Sequence, residues 1–452
     1  MYHHQTSPTP RARIPKITSS VHDISAEKPP FGSRFLTGDS DVWAHNAWDH
    51  VPPAENQAET ITTSIERQRL APVPTEDKEK YNSKPAKYWD NFYKNNADNF
   101  FRDRKWLHLE FPELLAAAEP EAGDRTICEI GCGETNRAHV TSISFSKAGQ
   151  GAGNAAFPLL SANKNPKLAI RAYDYSSHAV KLVQNSPLYT APAIGSIQAA
   201  VWDLSSENTL PPGVAPGTVD IVLCVFVLSA LHPDEWGKAI ANIHRMLKPG
   251  GVALVRDYGR YDLTQLRFKS GRLLDDNFYI RGDKTRVYFF ESDELALMFT
   301  GSRASPSQKT VRTTEESEES QTSGGDFLPT PSSPAPHTQL SQPVEPSLAS
   351  VIQGRELDQG APTEILSTAT PNPAIHPNLL MPLASCPPHP LFTIEQLGVD
   401  RRLLVNRKRQ LKMYRVWMQG KFRALSGASG LEGAQTDQGR STHTNSTSMM
   451  KT

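Results

Sequence analysis

Very little in this chain is suited to crosslinking, chelating a metal or spanning a membrane. Its 452 residues hold four cysteines, Cys128, Cys132, Cys224 and Cys386, none in a CxxC pair. That spacing gives no zinc knuckle and no disulfide framework. Three of the four lie in or beside apolar stretches that read as core strands, so buried, reduced thiols of an intracellular protein are the economical reading. No apolar run approaches the roughly 18 residues of a spanning helix, and Met1 to Ser20 is basic and rich in Pro and Thr, unlike a secretory leader. The cytoplasm is the expected location. A nuclear or mitochondrial pool stays open, since Arg11, Arg13 and Lys16 precede the first acid, Asp23. Net charge is also absent: 48 Lys and Arg balance 48 Asp and Glu, so contact with nucleic acid has to come from a local basic face. A GxGxxG pyrophosphate fingerprint is not legible either.

What is present is a set of buried strands that end in polar or small residues. Thr126 to Ile130 empties into Gly131-Cys132-Gly133. Closely spaced glycines after a strand let the backbone turn sharply and approach a ligand, although the same pattern suits an ordinary tight turn. A second run, Leu168 to Tyr173, ends at Asp174 and leads into a helix from His178 to Asn185. An acid at that place can accept hydrogen bonds from both ribose hydroxyls of a nucleoside. A third run, Ser196 to Trp202, ends at Asp203-Leu204, and a fourth, Val219 to Phe226, is apolar enough for a central parallel strand. The pattern is that of an α/β fold with ligands at the carboxyl edge of a mostly parallel sheet. Glu134 follows the glycines directly and would repel a phosphate, so S-adenosylmethionine suits this edge better than NAD.

Elsewhere the chain is mixed. Residues 1–30 and 424–452 read as disordered tails. Phe31 to Thr37 and Trp43 to Asp49 read as a segment that packs on the domain or forms a flap over ligand or RNA, and residues 50–79 read as a linker with some helix. Tyr88, Trp89, Phe92 and Tyr93 recur at helical spacing, a pattern more often core than site. Asp234 opens a helix to Leu247, Lys248-Pro249-Gly250-Gly251 stops it, Val252 to Val255 is a fifth strand, and Leu411 to Phe422 supplies the last. Residues 401–423 hold nine Lys or Arg and no acid, which suits a phosphate backbone or a charged, solvated edge strand. Residues 303–390 hold 15 prolines and one aromatic, Phe327, and read as a disordered insert.

Three sets of strings resemble the tRNA 3-methylcytidine methyltransferases: Tyr88-Trp89-Asp90-Asn91-Phe92-Tyr93-Lys94 with Phe101 to Leu107, Phe226 to Pro233, and Arg256 to Asp262 with Asp400 to Arg407 and Met413 to Trp417. The similarity covers about residues 31–50, 80–300 and 391–423, and the front segment looks like the longer fungal and animal branch, which acts on threonine and in some members serine tRNAs. The resemblance implies a class I, Rossmann-like fold with a seven-stranded, mostly parallel sheet. Its N-terminal extension (31–114) would carry an aromatic lid, its core would run over 115–300, and its C-terminal part over 391–423. It implies S-adenosylmethionine contacts at Trp89, Tyr93, Gly131, Asp174, Asp203, Leu204 and Val225, and a tRNA substrate methylated at cytidine 32, with a tRNA synthetase as a conceivable partner. Asp257 is the candidate for stabilising charge on the methylated base, and Arg256, Arg260, Arg401, Arg402 and Arg407 are candidates for holding RNA. The alternatives are a non-catalytic RNA-binding paralogue or a methyltransferase of the same fold acting on a protein or small molecule.

One departure bears on activity. The family's glycine turn reads GCGxGN without a break, whereas here the 18 residues Glu134 to Gly151 separate Gly133 from Ala152-Gly153-Asn154. Two readings are open. One is an in-frame retained intron, since codons for Gly133-Glu134 can spell a GT donor and those for Gln150-Gly151 an AG acceptor. The other is a surface loop, cheap because each doubling of loop length costs only about 0.6 kcal/mol. If the segment is retained, the first helix is expected to start too late and its N–H groups to be displaced.

Overall fold

The computed structural model describes residues 34–52, 57–96, 107–133, 153–207, 209–310 and 374–426, apart from the side chains of residues 96, 108, 109 and 310. The expected tail 1–30, Phe101 to Trp106, the whole 134–151 insertion and most of the 303–390 insert lie outside these residues, as does the expected tail 424–452 except 424–426, of which Ala424 still belongs to the last strand.

Among the described residues twelve strands form: β1 (Ala47–Asp49), β2 (Arg125–Ile130), β3 (Leu168–Asp174), β4 (Ser196–Val201), β5 (Val219–Val225), β6 (Leu247–Tyr258), β7 (Leu273–Asp275), β8 (Phe278–Ile280), β9 (Arg286–Tyr288), β10 (Lys309–Thr310), β11 (Phe392–Asn406) and β12 (Leu411–Ala424). The main sheet runs β1-β11-β12-β6-β5-β2-β3-β4, with β10 beside β11, and β7-β8-β9 make a small antiparallel sheet. Strands β2 to β6 are mutually parallel. Only β12, antiparallel to both β6 and β11, runs against the others in the seven from β11 to β4. The seven-stranded, mostly parallel sheet is therefore present, with β1 and β10 added beyond β12 on the β11 side.

The chain lays down β2, β3 and β4 in one direction and then returns to place β5 and β6 on the other side of β2. Strand order thus reverses between β2 and β5, and a crevice opens there outside the carboxyl ends, where ligands of such sheets bind. The strands form where the sequence is apolar on both faces: Val219, Val222, Leu223, Cys224 and Val225 of β5 are all buried.

Eleven helices surround the sheet among the described residues: α1 (Gln57–Leu70), α2 (Thr75–Asn82), α3 (Pro85–Asn96), α4 (Leu107–Glu110), α5 (Pro112–Ala118), α6 (Ala156–Ala162), α7 (Ser177–Gln184), α8 (Pro187–Thr190), α9 (Trp236–Met246), α10 (Leu263–Leu266) and α11 (Ser292–Thr300). The expected helix after β5 is α9, whose Trp236, Ile240, Ile243 and Met246 recur at helical spacing and are fully buried.

Several segments are more ordered than their composition implies. The 50–79 stretch supplies α1, whose buried Gln68 donates through Nε2 to Gln265 O (2.8 Å) and accepts from the Tyr279 hydroxyl (2.8 Å). Trp48 is buried and pairs opposite Leu403 in β11, so the described part of the front aromatic segment packs on the domain and is not a flap. Residues 303–310 and 374–390 fold onto the body as well: Ala304, Leu379 and Leu383 are buried, and the His376 N–H donates to Glu294 Oε1 at 3.0 Å. Proline-rich composition hides these few leucines, which suffice to dock the two ends of the insert.

Candidate active site

The site begins with the backbone beyond β2. Gly131 takes φ +69°, and the N–H groups of Gly131 and Cys132 both donate to Tyr173 O, at 2.7 and 3.1 Å. Gly133 is required by close approach: a Cβ there would lie 2.4 Å from the Tyr93 ring and 2.6 Å from Ala179 Cβ. The Gly133 N–H donates to Asp174 Oδ2 at 3.0 Å, and the Ser176 N–H donates to Asp174 Oδ1 at 2.9 Å. Burial and these bonds compete at Asp174, and burial wins, pushing its carboxyl up to about 6.

Across the insertion the turn closes. The Gly153 N–H donates to Cys132 O at 2.6 Å. With 134–151 removed, that bond would join residues three apart, the closing bond of an ordinary four-residue turn. Buried Glu129 of β2 accepts from the N–H groups of Ala155 (3.3 Å) and Ala156 (2.9 Å), which fixes the start of α6 against the strand. The expected displacement of the first helix therefore does not occur, because a carboxylate outside the insertion holds its N-terminus.

A cleft open to solvent lies at the reversal point. Trp89, Tyr93, Gly131, Asp174, Asp203 and Leu204 all line it. Val225 does not: it is buried within β5, and Val227, two residues on, lines the cleft in its place. Trp89, Phe92 and Tyr93 pack together and on Ala179 of α7, so the aromatic stripe serves both as a small core and as one wall of the cleft.

Asp90, in the same string as Trp89 and Tyr93, holds that wall. Its Oδ1 accepts from the Ser176 hydroxyl (2.6 Å) and the His178 N–H (3.2 Å), while Ser176 Oγ accepts from the Ala179 N–H (3.2 Å). The carboxylate and the serine together cap α7 and tie α3 to it. Sequence reasoning missed Asp90, and its position between two lining residues was the available signal.

The cationic candidates fall elsewhere. Arg256 is buried and bonds Asp400 and Gln419; Arg402 is buried among Asp400 (3.0 Å), Glu110 (2.8 Å) and Asp49 (3.3 Å). Burial alone would raise the Asp400 carboxyl, but the two guanidiniums hold it far below the usual carboxylate range. Arg260 is buried against Glu294 (2.6 Å) and Ala374 O (2.8 Å). Arg407 is half-buried and donates to Asn46 Oδ1 at 2.9 Å, and Arg401 is half-buried. Arg256, Arg402 and Arg415 also surround the Trp417 ring, at 5.0, 5.8 and 5.0 Å from its centroid. The basic face of β12 thus turns inward where Arg415 and Trp417 lie, because acids distant in sequence meet it there.

Asp257 is fully buried. Its Oδ2 accepts from the Ser229 N–H (3.0 Å) and its Oδ1 from the Tyr258 N–H (2.8 Å), and burial pushes its carboxyl up to about 6. It lies behind the turn that follows β5, whose Val227, Ala230 and Leu231 line the cleft, and it is not itself a lining residue. Its geometry is that of a positioning residue, in place of direct contact with a charged base.

The cleft fits a nucleoside that carries a sulfonium. Its described lining has two acids, four large aromatics and apolar side chains, and no Lys or Arg to take a pyrophosphate. Sheet order, reversed β12 and this donor set define a class I S-adenosylmethionine-dependent methyltransferase. A family model described as a methyltransferase domain matches residues 147–253. The chain is 35% identical over 415 residues to the tRNA N(3)-methylcytidine methyltransferase trm140 of Schizosaccharomyces pombe, covering 92% of this chain and 98% of that one. It is 39% identical over 393 residues to the tRNA(Thr) (cytosine(32)-N(3))-methyltransferase of Saccharomyces cerevisiae, covering 87% of this chain but 45% of that relative. It is 40% identical over 302 residues to the tRNA N(3)-cytidine methyltransferase METTL2 of Danio rerio, covering 64% of this chain and 84% of that one. The chain belongs to the tRNA N(3)-methylcytidine methyltransferases.

Proposed function

We propose that this chain methylates N3 of cytidine 32 in the anticodon loop of threonine tRNA, serine tRNA or both. The observation that carries the reading is the cleft itself, in which six residues from four separated places in the sequence meet around one space whose described lining holds no Lys or Arg. Bound S-adenosylmethionine supplies an electrophilic methyl group. N3 of cytidine carries an in-plane lone pair and no proton at neutral pH, so the protein has to align and need not supply a general base. Asp174 is placed to accept from ribose hydroxyls, Trp89 and Tyr93 wall the cleft and exclude water, and Asp257 fixes the Ser229 N–H and with it the turn bearing Val227 and Ala230. A paired cytidine hides N3, so the base has to be unpaired and turned out of its stack. The chain is expected to act in the cytoplasm, and a tRNA synthetase is a partner compatible with this substrate.

The test is methyl transfer to threonine and serine tRNA transcripts, with nucleoside mass spectrometry. The expected product is 3-methylcytidine, lost when cytidine 32 is replaced by uridine. Methylation of protein or small molecules that tRNA does not inhibit would overturn the reading.

A further inference from the structure

A second recess lies at the β6 terminus, with Tyr258 among its lining residues. Its floor includes Tyr258 and Phe268, its rim Arg267, and its far wall Leu404 and Met413 of the β11–β12 hairpin. It adjoins a shallower groove lined by Arg67, Arg267, Phe268 and Lys269. The described lining of the two holds no acid. Arg267 and Lys269 are exposed, and their side chains form no ion pair among the described residues. Phe268 stacks on Tyr279 (4.6 Å, 9°) and is only partly buried, so it is held rigid while remaining accessible. The two sites share a wall: the Tyr258 ring lies 4.8 Å from that of Phe226, and Val227, the next residue, lines the cofactor cleft. Phe226 holds φ +62°, an uncommon conformation for an aromatic residue and one that marks functional turns.

We propose that this groove seats the unpaired strand of an RNA loop, with a base against Phe268 and phosphates on Arg67, Arg267 and Lys269. The target base would leave the strand at the Phe226–Tyr258 wall to meet the cofactor cleft. An accessible aromatic face flanked by exposed cations is the combination that binds single-stranded nucleic acid, and a duplex would offer the aromatic nothing to stack on; Arg67 also donates to the Leu266 and Phe268 carbonyls, which holds it beside that face. The inference rests on the reading that this chain methylates an RNA loop.

The experiment compares the full chain with the double variant Arg267→Glu, Lys269→Glu and with Phe268→Ala. The probes are a synthetic anticodon stem-loop with an unpaired cytidine and a fully paired duplex of the same length. Affinity is read by anisotropy across a salt series, cofactor affinity by calorimetry, and methyl transfer by initial rates. The charge-reversal pair is expected to weaken stem-loop binding at least tenfold and lower the salt slope by about 1.4, the value for two single-strand phosphate contacts at about 0.7 each. It should raise KM for RNA more than it lowers kcat and leave cofactor affinity unchanged. Phe268→Ala is expected to cost roughly fivefold to a hundredfold on the stem-loop and little on the duplex. Wild-type stem-loop affinity and salt slope in the charge-reversal pair, alongside normal methylation by the parent chain, would overturn the groove while leaving the activity intact. Cofactor binding by the parent without binding or methylation of the stem-loop would overturn the activity and the groove together.

Discussion

The carboxyl edge around Asp174 and the hairpin β11–β12 both carry chemistry in their sequences, yet the fold uses them in opposite ways. At the first, aromatic and acidic residues from separate strings converge on one open cleft. At the second, Arg402 and Arg415 of the hairpin, with Arg256 of β6, turn inward around Trp417 and meet Asp400, Asp49, Glu110 and Asp262. A cluster of charge in a sequence is therefore not a charged surface until its partners are known, whereas an acid at a parallel strand's carboxyl end has its place set by topology.

The contrast can be broken most forcefully at the hairpin. Asp262 accepts from Arg415 Nε (2.7 Å) and the Val416 N–H (2.9 Å) while fully buried. Asp262→Ala strands a buried guanidinium and is expected to destabilise the chain by about 3–5 kcal/mol in denaturant titration. An unchanged midpoint would mean that Arg415 is solvated after all.

Trp89→Ala should act on the cleft instead, weakening S-adenosylmethionine binding at least tenfold by calorimetry while tRNA affinity changes little. Equal losses for both ligands would indicate general unfolding of the α3 wall. A smaller effect is expected at the latch: Asp90→Ala removes a cap and should cost about 1 kcal/mol of stability, with a several-fold loss of cofactor affinity that Asp90→Asn largely restores.

The mildest expectation concerns pH. Asp174 and Asp257 titrate near 6 in the folded chain against an ordinary 3.8, so between those values the folded chain keeps protons that the unfolded chain has lost. Stability from these two groups therefore falls as pH rises through that window. Function runs the other way, because ionised Asp257 accepts the Ser229 N–H that fixes the turn beyond β5. The turnover rate should drop as pH falls through about 6, and Asp257→Asn should lower the rate and flatten that limb. A limb unchanged in the variant would remove Asp257 from the alignment of the site.

Much of the fold was legible because the buried parallel strands are apolar and close on Gly131, Asp174 and Asp203. Six of the seven cofactor candidates line one cleft, and Val225 missed it because its side chain packs into the core beside the sheet, whereas Val227 in the turn beyond β5 faces the cleft. The roles of Arg256, Arg260 and Arg402 were not legible, since their partners Asp400, Glu294, Asp49 and Glu110 come mostly from distant segments. Nor was the order of residues 374–390, where a few docked leucines outweigh a proline-rich composition. Asp90 and Glu129 act through backbone N–H groups and leave no periodic trace.

The Cys132–Gly153 bond and Glu129 close the glycine turn across the insertion and so leave the described lining of the cofactor cleft in place. S-adenosylmethionine titration by calorimetry, on the chain as it stands and with Glu134 to Gly151 deleted, tests it most directly. Both forms are expected to bind, with dissociation constants within a few-fold of each other. Binding by the deleted form alone would contradict it, and would mark the 18 residues as incompatible with the site.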